Sequence, residues 1–114
     1  MEKCVFCDIA AGKIAADIVY RDKDLVAFKD IHPLAPVHLI IIPQAHIPSL
    51  VEVGEPQKGL LGRLILVAVK LAQQEGVALK GYRLAINCGP QGGQVIPHLH
   101  LHLLGGRKLA DQLG

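Results

Sequence analysis

Three things are scarce in this 114-residue chain: charge, long hydrophobic runs and cysteine. Only 19% of the residues are Asp, Glu, Lys or Arg, and 12 basic residues are nearly balanced by 10 acidic ones. The basic residues are spread beside the acidic ones, without the stripe that tracks a nucleic-acid backbone, so no long nucleic acid is expected as partner. The strongest apolar runs are "LIII" at 39–42 and "LILVAV" at 64–69. Both fall far short of the about 20 residues a membrane helix needs, so no membrane association is expected. The opening "MEKCVFCDIAAGK" carries charges where a signal peptide would have its apolar stretch, and a cytoplasmic protein is expected. Repeats, low-complexity tracts and linkers are lacking too, which predicts one domain over residues 1–114. With only three cysteines, an odd number, Cys4 and Cys7 read as metal ligands or free thiols rather than a structural disulfide. Cys88 has no obvious partner.

Apolar residues, by contrast, are plentiful. They make up 51% of the chain, which argues against disorder and implies a packed core. So large a share in so short a chain suggests that a second copy covers some of this surface, and a homodimer is expected. "CVFCDIAAGK" reads as a short helix ended by Gly12. "DIVYRD" and "LVAFKDI" read as a hairpin turning at Lys23-Asp24, and "HLIIIP" as a buried strand stopped by Pro43. Between Gln57 and Glu75, Leu60, Leu61, Leu64, Ile65, Ala68, Leu71 and Ala72 follow a helical stripe, with Leu66 and Val69 outside it. These two are either partly exposed or packed against a twin helix in a dimer. "YRLAIN" and "HLHLHLL" read as strands flanking the loop "CGPQGGQVIP". The expected fold is α+β: an antiparallel sheet of about five strands, one main helix on a face and a short N-terminal helix.

The final apolar segment, "IPHLHLHLLGG" at 96–106, alternates histidine with leucine. On a strand His98, His100 and His102 would share one face, with Leu99, Leu101 and Leu103 on the core side. Imidazole near its ordinary pKa of about 6.5 can act as nucleophile, proton donor or metal ligand. A polar edge strand would more often use Lys, Glu or Thr. A metal cage of these three alone is incomplete, because side chains two apart on a strand lie roughly 7 Å from one another. The preceding "GPQGGQ" loop has flexible backbone whose N–H groups could approach a phosphate. Together the two features suggest phosphoryl chemistry.

"HLHLHLL" resembles the signature of the histidine triad (HIT) family of nucleotide hydrolases and transferases. With "FKDIHPLAPVHLIIIPQAHI", "GYRLAIN", "GGQ" and "LLGGR", most of the chain resembles the Hint branch, the nucleoside phosphoramidate hydrolases. The resemblance implies that His100 attacks the α-phosphorus of a purine nucleoside 5′-phosphoramidate and forms a nucleotidyl-imidazole intermediate. Water then releases a nucleoside monophosphate such as AMP. A neutral imidazole is competent for such a step, and two displacements lower each barrier. By the same resemblance His102 contacts the phosphate, and His38 is a fourth active-site histidine or a structural strand-end residue. Asp30 holds the ribose hydroxyls or caps a turn. Ile31, Phe6 and Ile9 line the base site or belong to the core. Asn87, Gly92, Gly93 and Gln94 complete a phosphate cradle, and His32 is left as an exposed loop residue.

Val95 departs from the pattern: Hint-like proteins usually carry Ser or Thr here, and Val offers no hydrogen bond near the leaving nitrogen. Pro97 replaces a common aromatic, and the tail "KLADQLG" lacks the aromatic segment of animal relatives, so the leaving amine is not specified. Cys4-x-x-Cys7 has zinc half-site spacing, with a redox pair or chance as alternatives. Many bacterial HIT proteins, and the related galactose-1-phosphate uridylyltransferases, complete such a pair with two histidines. Here those positions are His46 and His98, which implies a structural zinc. The rival functions are a dinucleoside polyphosphate hydrolase of the same fold, a nucleotide-binding protein with little turnover, and thiol redox chemistry.

Overall fold

The computed structural model describes residues 4–113. Its elements run α1 (Val5–Ala10), β1 (Ile18–Arg21), β2 (Leu25–Lys29), β3 (Val37–Pro43), α2 (Lys58–Gln74), β4 (Tyr82–Ala85) and β5 (Leu101–Gly105). The strands form one antiparallel sheet in the order β1-β2-β3-β5-β4. This is the α+β architecture expected from the sequence. The expected hairpin forms between β1 and β2, and Asp22 closes its turn: its Oδ1 accepts the Asp24 and Leu25 N–H groups, each at 2.7 Å.

The sheet separates two apolar clusters. On one face Leu25, Ala27, Leu39, Ile41, Leu101 and Leu103 pack against Leu64, Val67, Ala68, Leu71 and Ala72 of α2. On the other, Val26, Phe28, Ile40 and Ile42 pack against Phe6, Ile9 and Ala10 of α1. Because β2 and β3 are buried on both faces, they read as continuous apolar runs rather than as alternation. Both bury nearly every residue.

Two expectations change. Ile65 is 48% exposed, and Val67 takes its place in the core. One residue advances a helix by about 100°, so Ile65 lies round the side from Leu64 while Val67 stays on the sheet-facing stripe. The last strand is also shorter than "HLHLHLL", since it starts at Leu101 and leaves His98 and His100 ahead of it. The ladder with β3 ends at Ile41↔Leu101. Pro43 has no N–H with which to continue it, and Leu99 N–H instead donates to the Ile47 carbonyl at 2.6 Å.

Candidate active site and metal centre

All six histidines except His32, which stands exposed on the 31–36 loop, meet on the α1 side of the sheet. Register places them there: Ile40 of β3 pairs with His102, so His38, two residues before Ile40, lies on the same face as His102. Phe6 of α1 sits edge-on between the rings, with centroids 5.9 Å from His98 and 5.1 Å from His100.

Backbone groups assign each imidazole its tautomer. His100 Nδ1 lies 2.6 Å from the His98 carbonyl, which only accepts, so Nδ1 carries the proton and Nε2 the free lone pair. Leu34 N–H donates to His38 Nδ1 at 3.1 Å, so His38 carries its proton on Nε2. That Nε2–H donates to His102 Nδ1 at 2.9 Å, leaving His102 to present Nε2–H outward. The His100 and His102 rings are 5.0 Å apart, which sets a bare nucleophilic nitrogen beside a hydrogen-bond donor.

Burial favours the neutral forms of His102 and His38. It pushes His102 down to about 4, with the His100 and His38 charges adding to the effect and Asp30 opposing it. His38 is lowered by burial too, against the pull of Asp30. Asp30 Oδ2 lies 3.5 Å from His38 Nε2, and its Oδ1 accepts the His32 N–H at 2.8 Å, so it closes its own turn while facing the histidines. A pH consequence follows. The unfolded chain binds protons at histidine near 6.5 and the folded one near 4 for His102, so stability falls as pH drops through that window. Calorimetry from pH 7 to 4 should show Tm declining over this interval, and His102→Gln should reduce the slope.

The glycine loop differs from its expected use. The N–H groups of Gly92, Gly93 and Gln94 turn inward to the carbonyls of Gly89, Pro90 and Gly89 respectively, rather than forming an open cradle. The side chains of Asn87 and Gln94 brace the same loop. Asn87 Nδ2 donates to the Gly92 carbonyl at 2.7 Å. Gln94 accepts from Gly89 N–H and donates to the carbonyls of Pro48 and Ile96. At Gly92 a Cβ would sit 2.3 Å from the Cys88 carbonyl oxygen, so the turn admits only glycine. Val95 is 89% exposed and lines a cleft of about 320 Å³ with Val5, Asp8 and Ile14. Of the three apolar residues assigned to the base site, Ile31 is 84% exposed, whereas Phe6 and Ile9 are buried between α1 and the sheet.

A second constellation lies beside the first. Cys4, Cys7, His46 and His98 bring their ligand atoms within 4.8 Å of one another. His98 Nδ1 is 3.3 Å from Cys4 Sγ and 3.5 Å from Cys7 Sγ, and His46 Nδ1 is 3.2 Å from Cys7 Sγ. Bond lengths around tetrahedral zinc imply S···N separations of about 3.5 Å, so this donor set fits one such ion. His98 Nε2–H donates to the Pro43 carbonyl at 2.8 Å, which frees Nδ1 as the ligand nitrogen. Burial, with Cys4 and Asp8 adding, raises the Cys7 thiol to about 11, opposite to the lowered thiol of an exchange pair. Asp30, His38 and His102 also lie within 4.8 Å of one another. There, however, His38 holds its proton on the inward nitrogen, which suits a hydrogen-bond relay rather than a metal.

Sequence reasoning missed the groups that set these tautomers: the Leu34 N–H and the carbonyls of His98 and Pro43. Backbone groups carry no residue signature, so only the fold reveals them.

Comparison with known proteins agrees with this geometry. The family model for the HIT domain matches residues 11–109. The chain is 47% identical over 112 residues to the purine nucleoside phosphoramidase of Escherichia coli (strain K12), covering 98% of this chain and 94% of that protein. It is similar to the crystal structure of a HIT family hydrolase from Legionella pneumophila Philadelphia 1, with TM-score 0.96, 47% identity, and 98% and 100% of the two chains covered. A Zn-bound histidine triad family protein from Mycobacterium smegmatis is similar with TM-score 0.79 and 27% identity, over 98% of this chain and 80% of that one. A model matching most of the sequence, and relatives this similar over nearly its full length, show that the chain belongs to the HIT domain family.

Proposed function

We propose that this chain is a hydrolase that cleaves the P–N bond of purine nucleoside 5′-phosphoramidates, releasing a nucleoside monophosphate and an amine. The observation that carries this reading is the fixed tautomer of His100, whose lone pair on Nε2 stands beside the Nε2–H of His102. The name of the Escherichia coli relative supports the substrate class. His100 Nε2 attacks phosphorus in line, the P–N bond breaks, and the amine leaves with a proton from solvent. Water then attacks the phosphorus and restores the imidazole. His102 donates to a phosphoryl oxygen through both steps, and its neutrality leaves that proton in place. His38 orients His102, Asp30 and Ile31 meet the ribose and base, and Phe6 and Ile9 back the site. Asn87, Gly93 and Gln94 shape the loop that carries Val95.

We read residues 1–114 as a single HIT domain working in the cytoplasm as a homodimer. The 48% and 68% exposure of Ile65 and Leu66 on α2 supports a second copy covering that helix. No described helix is long and apolar enough to cross a membrane. Zinc held by Cys4, Cys7, His46 and His98 would have no open position, so it supplies a cross-link rather than a reacting ligand. The Zn-bound relative supports this choice of metal.

The substrate class is tested by comparing kcat/KM for an adenosine 5′-phosphoramidate and a diadenosine polyphosphate. A preference of at least about 100-fold for the phosphoramidate is expected, and the reverse preference would select the polyphosphate rival. In the same assay Val95→Ser should raise kcat about tenfold for amines of high pKa, because it restores a hydroxyl near the leaving nitrogen.

A further inference from the structure

The Gly105-Gly106-Arg107 segment at the end of β5 takes no part in the chemistry above, yet it is shaped around the loop that supplies His38 with its hydrogen bond. Gly106 has a φ of +95°, and a Cβ there would lie 2.8 Å from Cβ of Pro36, so the backbone passes directly against that loop. One residue further, Arg107 Nη2 donates to the Leu34 carbonyl at 2.8 Å, while its Nη1 donates to the Lys108 carbonyl at 3.0 Å. Leu34 has no apolar anchor of its own, since its side chain is 70% exposed. Its N–H is the donor that reaches His38 Nδ1. One residue therefore has its carbonyl held by Arg107 and its N–H holding a site histidine.

We infer that Arg107 is a positioning residue. By fixing Leu34 it keeps the Leu34 N–H on His38 Nδ1, keeps the His38 proton on Nε2, and so keeps His102 in the tautomer that presents Nε2–H to the phosphoryl group. Without the clamp, Leu34 retreats into solvent and His38 becomes free to protonate either nitrogen. His102 then loses its single tautomer as well, although no side chain of the site has been altered. The consequence for turnover rests on the phosphoramidate reading, whereas the tautomer statement does not.

Imidazole ¹⁵N NMR of the substrate-free protein tests the tautomers directly. Wild type should show His102 protonated on Nε2 alone, Arg107→Ala a mixture, and Arg107→Lys, which keeps a cation but not the fork, an intermediate state. Because Arg107 is exposed, its loss leaves no cavity. With an adenosine phosphoramidate, Arg107→Ala should lower kcat about tenfold and change KM by less than about twofold, the size of effect seen for residues acting through a network. In a His38→Ala background the same change should have no further effect on kcat, because the relay is already gone. An unaltered His102 tautomer in Arg107→Ala, or an equal loss of kcat in the His38→Ala background, overturns the inference. Absence of phosphoramidate turnover in wild type would instead overturn the proposed function, while the NMR result would still decide the role of Arg107.

Discussion

Replacing His100 with alanine is expected to lower kcat on an adenosine 5′-phosphoramidate by at least about 10⁴-fold, the scale on which loss of a covalent nucleophile acts. His102 and the braced glycine loop remain in place in this variant, so AMP affinity should change only slightly. Intact-mass measurement during turnover supplies the decisive observation. Wild type should carry a transient nucleotidyl adduct and His100→Ala none. The expectation stems from one bond: with Nδ1–H held by the His98 carbonyl at 2.6 Å, the only lone pair of this ring is on Nε2, and it is next to His102. If both proteins release AMP equally, His100 is not the nucleophile. If neither releases it although AMP binds, the chain is a binding protein, and the missing hydroxyl at Val95 becomes the first place to look.

Removal of the metal should have the second largest effect. Wild type is expected to hold one zinc per chain, lost in Cys4→Ser and Cys7→Ser, with Co²⁺ in its place giving a tetrahedral thiolate–imidazole spectrum. Chelation should lower Tm by about 10–15 °C, which corresponds to about 3 kcal/mol for a domain of this length. That loss is smaller than for a zinc finger because two apolar clusters remain on either side of the sheet. The site nonetheless ties together three parts of the chain that are distant in sequence: the start of α1 through the two cysteines, the segment after β3 through His46, and the chain ahead of β5 through His98. His98 is the joint. Its Nδ1 faces the thiols, its Nε2–H holds the Pro43 carbonyl, and its own carbonyl holds His100 Nδ1–H. Metal loss should therefore also lower kcat, by about 10-fold or more, the usual scale for a disturbed outer-shell contact. A protein without bound zinc that keeps both its Tm and its kcat would remove the structural role assigned here.

Much of this site was legible before any coordinates. Alternation of histidine and leucine placed the imidazoles on one side of the chain, and the spacing of Cys4 and Cys7 suggested half of a metal site, which the family resemblance completed with His46 and His98. The run of apolar residues in "HLIIIP" marked a buried strand, which is β3. Such features are local: a period of two or of 3.6, a turn residue, a ligand type at a given spacing, each of which acts over a few neighbouring positions. The limits of these rules showed where a neighbour overrode them. Pro43, in a different strand, ended the ladder before His100, and the direction of α2 relative to the sheet chose Val67 over Ile65 for the core.

Only the tertiary structure decided what each histidine can do. A residue's letter does not say which nitrogen bears the proton. That is set by whichever carbonyl or N–H the fold brings within about 3 Å, since a carbonyl can only accept and an amide N–H can only donate. The strand order β2-β3-β5 carried His38 to His102, 64 residues away in sequence, and the loop after β2 brought the Leu34 N–H to His38. The sequence by itself determined the kinds of chemistry available to this protein and the family it belongs to. Long-range packing decided which nitrogen of each imidazole bears the proton and which side chains stand together, because hydrogen bonds at that range depend on distance in space and not on distance along the chain.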